Sequence, residues 1–510
     1  MSSAGVPRLD RAVLLQAAAG LLLCALGYFL AHRESSEVRS VLATAGGCMM
    51  PTDIYEPRSG TPLGSVVLFH GLSANRKVMS FTAEEFANQD LRVFVPDLPG
   101  HGKTPGPFTP ARVESCAQSL VRDLAIRRAI IPERTILAGH SMGGAVAARV
   151  ASHIAVAGVI AISPAPMHPA PGLPSEMLLF PTPPILAPHS LVLSAAWEPA
   201  TARQIASDLV TQSADSSNKY EIIPRSTHVS ILFVRATFEA VRSWCADILG
   251  TSSSAKLPRN APAVGCLFGI LGLSLLAPPF LREMTASPSA ELPADSNRPF
   301  SFLRSVLLLA IFASLALWLL RFFIPFHFLH IFQGDYLASF LFLVGTCVLA
   351  VRHGATPRLR TFIATSTVAS AAAAIVLVLL FAAWFELTFY EAWLTPARWL
   401  RFPAVFLALL PWHLAEEVSL GSPSKHSRLS RVMRALAFRA ILWLALVAGI
   451  LYLHSAQFAF VLLVVYFVLF SILQRMAMDV IRTWTRSAAV AAIFGAILLA
   501  GFALAILPIA

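Results

Sequence analysis

Apolar residues follow two different patterns along the chain. No charge interrupts Ala12–Ala31, and further apolar runs recur at about 263–281, 303–323, 336–351, 361–385, 400–418, 435–453, 458–474 and 488–510. At about 1.5 Å rise per residue, a twenty-residue helix reaches about 30 Å, the thickness of a hydrocarbon core. These runs therefore predict an N-terminal membrane helix and about eight more near the C-terminus. Between them, residues 40–250 alternate short β-rich runs with amphipathic stretches. Strands are expected at Ser65–Phe69, Arg92–Val95, Thr135–Ala138, Val156–Ile162, Leu191–Leu193 and Tyr220–Ile223, with helices between them. That alternation predicts a mostly parallel sheet with crossover helices. The expected division is an anchor over 1–35, a sheet domain over 36–252 and an all-α membrane domain over 253–510.

The first run is longer than the roughly 7–15 apolar residues of a cleaved signal, and Cys24 lies mid-run without the small residues that precede a lipoprotein cysteine. An uncleaved anchor is expected. The 400–418 run is the weak member, because only eleven residues separate Arg401 from His413. It is either a re-entrant segment or a helix carrying Glu416 and Glu417 near its inner end. Glu386, Glu391, Glu416, Glu417, His327, His330 and His413 lie near run boundaries. Intramembrane ionisable groups are functional candidates, but interfacial anchoring or helix packing accounts for these more plainly. No internal repeat is visible, which weakens a transporter reading.

Composition narrows the class. Of 510 residues 56% are hydrophobic and 13% charged, about half the roughly 25% charge of a soluble domain, which excludes a purely cytosolic protein. The excess of 39 Lys+Arg over 28 Asp+Glu forms no basic stripe, so nucleic acid is not an expected partner. Much of it sits between apolar runs (Arg352, Arg358, Arg360, Lys425, Arg428, Arg431, Arg434), where cations set membrane orientation. By that bias the 282–304, 352–360, 419–434 and 475–486 loops are cytoplasmic and 324–335 and 386–399 are outside. Arg8 and Arg11 place the N-terminus inside, with residues 32–262 and Ala510 outside. Arg321, Arg398 and Arg401 run against the rule. The expected location is a multi-pass membrane protein, in the plasma or inner membrane if bacterial, with the sheet domain extracytoplasmic. Of six cysteines, Cys24, Cys266 and Cys347 lie in apolar runs, and Cys48, Cys116 and Cys245 are too far apart in sequence to suggest a site. No metal site, nucleotide loop or cofactor motif is present.

The chemistry lies in the polar half. Thr135–Ala138 runs into Gly139-His140-Ser141-Met142-Gly143-Gly144 and then a small-residue helix. This is G-x-S-x-G in its strand–turn–helix setting, where the glycines give a nucleophilic Ser141 the room that so tight a turn requires. A serine hydroxyl needs a base, and the base needs a carboxylate to orient it. Glu198, after Ser190–Leu193, is the only acidic residue between Glu176 and Asp208; Asp208 and Asp215 are the alternatives. His228 follows the last strand, whereas His153, His168 and His189 lie out of order. An oxyanion hole needs two backbone N–H groups, expected from Met142 and from Leu72 in His70-Gly71-Leu72. His70 is expected to shape its loop and Asp97 to be structural.

The elements H-G-L, P-D-L-P-G-H-G, G-H-S-M-G-G and the late T-H occur in an order that resembles the α/β-hydrolase superfamily over about 180 residues, Val66–Leu249. More narrowly, the segment is similar to the serine aminopeptidase and monoacylglycerol-lipase-like branch. The resemblance implies an α/β-hydrolase fold with Ser141 as nucleophile, Glu198 as acid, His228 as base, and Leu72 and Met142 as oxyanion donors. Two features depart from that branch: Glu stands where Gly-x-x-Asp is usual, and only 27 proline-rich residues, Ser163–His189, stand where a helical cap would be. Met177–Pro181 there either faces a lipid or packs as a core loop.

The function expected is a membrane-anchored serine hydrolase that cleaves an acyl ester of a lipidic or envelope-derived substrate, with no cofactor. Its partners would be that ester and membrane lipids, with protein partners unknown; the same site could also transfer the acyl group. The alternative is an inactive hydrolase-like binding module on a membrane carrier or scaffold. An aminopeptidase would need a carboxylate cluster for the substrate amine, and none stands out.

Overall fold

A computed structural model describes residues 11–32, 37–57, 60–171, 173, 175, 178–213, 215–251, 261–285, 301–324, 327–352, 365–421, 427–453 and 459–510. Arg8, Glu176, Met177, Arg358, Arg360 and Lys425 lie outside the described residues. Eight strands form one sheet: β1 Val38–Ala45, β2 Cys48–Tyr55, β3 Gly64–Phe69, β4 Leu91–Pro96, β5 Thr135–His140, β6 Gly158–Ile162, β7 Ser190–Ala195 and β8 Lys219–Ile223. Their order is β1-β2-β4-β3-β5-β6-β7-β8. β3 to β8 pair in parallel, while β2 is antiparallel to both β1 and β4. Strands β3 and β5 are buried along their whole length, as expected where helices cover both faces.

Side-chain alternation sorts the core. Val66, Leu68, Ile136 and Ala138 face helices α2 (Ser80–Ala87) and α6 (Arg235–Leu249), while Val67, Phe69 and Leu137 face α3 (Pro110–Ile126), α4 (Met142–Ala151) and α5 (Ala200–Thr211). The β1–β2 hairpin was not anticipated from the sequence. Its turn is Gly46-Gly47, both at positive φ (55° and 75°), the geometry that makes two glycines a hairpin signal.

One reading of the cysteines is corrected. Cys48, at the start of β2, is disulfide-bonded to Cys116 on α3, with Cα atoms 5.8 Å apart across 68 positions of sequence. Strand register and helix packing bring the two together, which sequence distance could not reveal.

The helical half comprises α7 Ala261–Thr285, α8 Phe302–Phe322, α9 Gly334–Val351, α10 Thr365–Thr388, α11 Pro396–Leu420, α12 Arg428–Tyr452, α13 Ala459–Thr485 and α14 Ala488–Ile506. Among the described residues, eight helices, α1 (Arg11–His32) included, are long and apolar enough to cross a membrane. The remaining long helix, α11, runs unbroken for 25 residues and keeps Pro403 and Pro411 within it. The 400–418 run therefore belongs to a longer helix with Glu416 and Glu417 in its last turns. α1 lies antiparallel on α7. A Cβ on Gly27 would meet the Gly265 carbonyl at 2.6 Å, and one on Gly20 the Gly272 carbonyl at 2.9 Å, the close backbone approach that small residues permit between membrane helices.

The cationic residues near the end of the bundle are also reassigned. Arg431 lies on α12, and Arg475 and Arg482 lie on α13, not in loops. With Arg439 they surround Glu416, Glu417 and Asp479, all buried. Arg439 grips Glu416 with two bonds of 2.6 and 2.8 Å, Arg475 bonds Glu417 at 2.5 Å, and Arg431 bonds Asp479 at 3.1 Å. His413 meets Gln474 at 3.0 Å. These residues are packing elements of the bundle, so their positive charge does not mark a loop there.

The two halves meet along the carboxyl edge of the sheet. The loop after β3 contacts residues 386–391, and the loop after β4 contacts Arg398, Phe332 and Ile509. Leu173, between β6 and β7, packs against the apolar core of the bundle. Phe233, after β8, lies against Phe389.

Candidate active site

At the carboxyl end of β5 the chain turns sharply into α4, and Ser141 occupies the turn at φ 53°, ψ −117°, a backbone region costly to a residue with a Cβ. The surroundings impose it. The Ser141 N–H donates to the Ile162 carbonyl at 2.9 Å, and the Ser141 carbonyl accepts from the Ala165 N–H at 2.9 Å. Glycine is required at both flanks, since a Cβ at residue 139 would lie 2.2 Å from the Gly143 oxygen and one at residue 143 would lie 2.1 Å from the Phe69 oxygen.

Glu198 and His228 arrive from the ends of β7 and β8. Backbone bonds knit these ends together: Ala196 N–H to the Ile223 carbonyl and Trp197 N–H to the Ser226 carbonyl, each 3.0 Å. Arg203 donates to the carbonyls of Ala196 and Glu198 at 2.6 and 2.5 Å, fixing the turn that carries Glu198. His228 Nε2 is 2.9 Å from Ser141 Oγ, and His228 Nδ1 is 2.5 Å from Glu198 Oε1. The second oxygen, Oε2, accepts from the Ala195 N–H at 2.9 Å. Ser141 and Glu198 are buried, and the His228 side chain is 19% exposed. The alternative acids are engaged elsewhere: Asp208 accepts from Gln204 at 2.7 Å and Asp215 from the Ser217 N–H at 2.8 Å.

Leu72 and Met142 flank the serine. The loop after β3 passes so close that a Cβ on Gly71 would stand 3.2 Å from Ser141 Cβ, and Leu72 is the next residue. Met142 opens α4, where a helix has N–H groups without intrahelical partners.

Sequence reasoning left His140 without a role. Its Nε2 is 2.7 Å from the His228 carbonyl oxygen, and burial pushes its pKa down to about 3. The neutral ring donates to that carbonyl and holds the loop bearing His228. The only signal was its place beside the serine. His70 behaves as expected: its Nε2 accepts from the Leu98 N–H at 2.9 Å, leaving Nδ1 to donate to the Gly71 carbonyl at 2.8 Å. Burial lowers its pKa as well. Asp97 accepts from the Arg76 and Lys103 N–H groups at 2.9 and 3.2 Å, a structural role. Among the described residues no group of three or more His, Cys, Asp or Glu side chains is placed to hold a metal ion.

Residues 66–293 match the model of the alpha/beta hydrolase family. The sheet domain has the α/β-hydrolase fold. Two esterases and the protein Est1E are among the similar solved structures. One from Thermogutta terrifontis is 17% identical, covering 42% of this chain and 99% of its own, with a TM-score of 0.33. Est1E from Butyrivibrio proteoclasticus, solved with ferulic acid, is 17% identical over 41% of this chain and 100% of its own, TM-score 0.35. A Pyrococcus furiosus esterase is 16% identical over 42% and 92%, TM-score 0.35. No curated protein matches the chain. By the family match and the observed sheet, the α/β-hydrolase fold is followed by a helical half built from long apolar helices.

Proposed function

We propose that this chain is a membrane-embedded serine hydrolase that cleaves acyl esters. The hydrogen-bonded series Glu198, His228, Ser141 carries the reading. In the proposed reaction His228 Nε2 takes the proton of Ser141 Oγ as that oxygen attacks the ester carbonyl. Glu198 holds Nδ1–H and balances the imidazolium charge. The N–H groups of Leu72 and Met142 receive the developing oxyanion. The tetrahedral adduct collapses, the carbonyl–oxygen bond of the ester breaks, and His228 returns its proton to the departing alcohol. Water, deprotonated by the same imidazole, then releases the acid from Ser141. No cofactor enters this scheme.

Two observations support a lipidic substrate and an extracytoplasmic site. The carboxyl edge of the sheet, where this fold places its chemistry, faces the helical half. The Cys48–Cys116 disulfide belongs to an oxidising compartment, in keeping with a sheet domain outside the cytoplasm. The domain division proposed remains 1–35, 36–252 and 253–510. The test is labelling of the purified full-length protein by a fluorophosphonate. Wild type should react and Ser141→Ala and His228→Ala should not; an unreactive, folded wild type would leave a binding module as the better reading.

A further inference from the structure

The segment between α10 and α11 belongs to the helical half, yet its polar groups are spent on the loop that carries Leu72. Tyr390 Oη donates to the Ser73 carbonyl at 2.7 Å. Asn75 Nδ2 donates to the Glu391 carbonyl at 3.4 Å, and Arg76 Nη2 lies 2.6 Å from Glu391 Oε1. Lys77 bonds the Glu386 carbonyl and stands 3.6 Å from its carboxylate. Four residues of one loop, 73 and 75–77, are thus held by residues 386–391, at the end of α10 and just after it.

We propose that Tyr390 and Glu391 are positioning residues for oxyanion stabilisation, holding the Gly71–Arg76 loop so that the Leu72 N–H faces the carbonyl oxygen of the ester attacked by Ser141. The proposal rests on the serine-hydrolase reading above. The loop needs outside support. Ser73 sits at φ 58°, an unfavourable conformation for a residue with a Cβ. The turn's own bond, Ala74 N–H to the Gly71 carbonyl, is 3.2 Å. His70 fixes one end of the turn through the Gly71 carbonyl, and Tyr390 fixes the other through Ser73. Burial pushes the Tyr390 phenol up, so it remains a donor. Through these bonds the helical half sets part of the catalytic geometry of the sheet domain: a shift of α10 against α11 moves the loop carrying one oxyanion donor. An oxyanion hole works by being preorganised, and losing a donor outright costs about 10²–10³ in kcat. Loosening one should cost less.

The experiment compares full-length wild type, Ser141→Ala, Tyr390→Phe and Glu391→Ala for fluorophosphonate inactivation rate, for p-nitrophenyl butyrate kcat and KM, and for melting temperature. Tyr390→Phe removes one hydroxyl and should slow inactivation and lower kcat about tenfold, with KM and melting temperature unchanged. Glu391→Ala should follow in the same direction. Rates for Tyr390→Phe within twofold of wild type, or a Tyr390→Phe loss that tracks a lowered melting temperature of that variant, would overturn the proposal. If wild type reacts no faster than Ser141→Ala, the serine-hydrolase reading itself falls, an outcome distinct from wild type and Tyr390→Phe reacting alike.

Discussion

Replacing Glu198 by Gln tests whether this carboxylate is the acid of the site. Both of its oxygens act as acceptors, one from His228 Nδ1 at 2.5 Å and one from the Ala195 N–H at 2.9 Å. Gln offers one acceptor oxygen and one NH₂ group. If the oxygen stays with Ala195, the NH₂ faces Nδ1 and forces the tautomer in which Nε2 carries the proton, and Nε2 can no longer accept one from Ser141. If the oxygen turns to His228, the NH₂ meets the Ala195 N–H and leaves a buried donor unsatisfied, at about 1–3 kcal/mol. The first arrangement loses the base, and a wrong-tautomer substitution of this kind costs about 10⁴ in rate, or about 5 kcal/mol of barrier. The rate of fluorophosphonate inactivation measures it without knowledge of the natural substrate. Glu198→Asp keeps both acceptors but shortens the reach by about 1.5 Å, so it should lose far less. A Gln variant that reacts within tenfold of wild type would refute the argument and return attention to Asp208 or Asp215.

Three further outcomes are expected. The disulfide closes a 68-residue separation, worth roughly 4 kcal/mol by loop-closure entropy; Cys116→Ser should lower the melting temperature of the sheet domain, and unchanged electrophoretic mobility of the wild type on reduction would speak against the bond. Glu391 is pushed up to about 9 by burial and by its hydrogen bond to Asp97, whose own pKa is held low by that bond and by Arg76 against the effect of burial. Its stabilising contribution is complete below its ordinary carboxyl pKa and fades as pH rises toward 9, as a second negative charge develops beside Asp97, with Arg76 and Lys103 the facing cations. The melting temperature of Glu391→Gln should therefore gain on wild type between pH 5 and 9, whereas parallel curves would contradict the assignment. Finally, Arg475→Leu removes one cation from the buried cluster and leaves Glu417 without its 2.5 Å partner, a loss of about 3–5 kcal/mol; a melting temperature equal to that of wild type in detergent would disprove a packing role.

Most of the sheet was legible because its strands are continuous apolar runs, which burial on both faces demands. The β1–β2 hairpin was missed because β1 carries Arg39 and two threonine or serine positions on an exposed edge, so it reads as polar chain; Gly46-Gly47 was the available clue. The serine, glutamate and histidine were legible from order along the sequence, since each ends a strand of one sheet. The role of His140 was not, because a bond to the His228 carbonyl depends on how two loops approach each other in space. Likewise Arg431, Arg475 and Arg482 looked like loop charge until helix ends and partners were known. What ties Tyr390 to Ser73 spans 317 positions, and no local pattern reports it.

The antiparallel contact of α1 with α7 bears on how such a chain is put together. The sheet domain leaves the end of one helix and returns at the start of its neighbour, so the helical half amounts to a bundle whose first hairpin has been opened to admit an entire folded unit. A unit inserted this way changes neither the order nor the direction of any helix that follows. Excising it and joining the two helices by a short turn should leave the bundle's own threading intact, and the host half is free to have existed, and to be studied, without its guest. The same arrangement restricts the guest: joined to the ends of two neighbouring helices and seated on the bundle, it has little freedom to turn its reactive edge away from the helices.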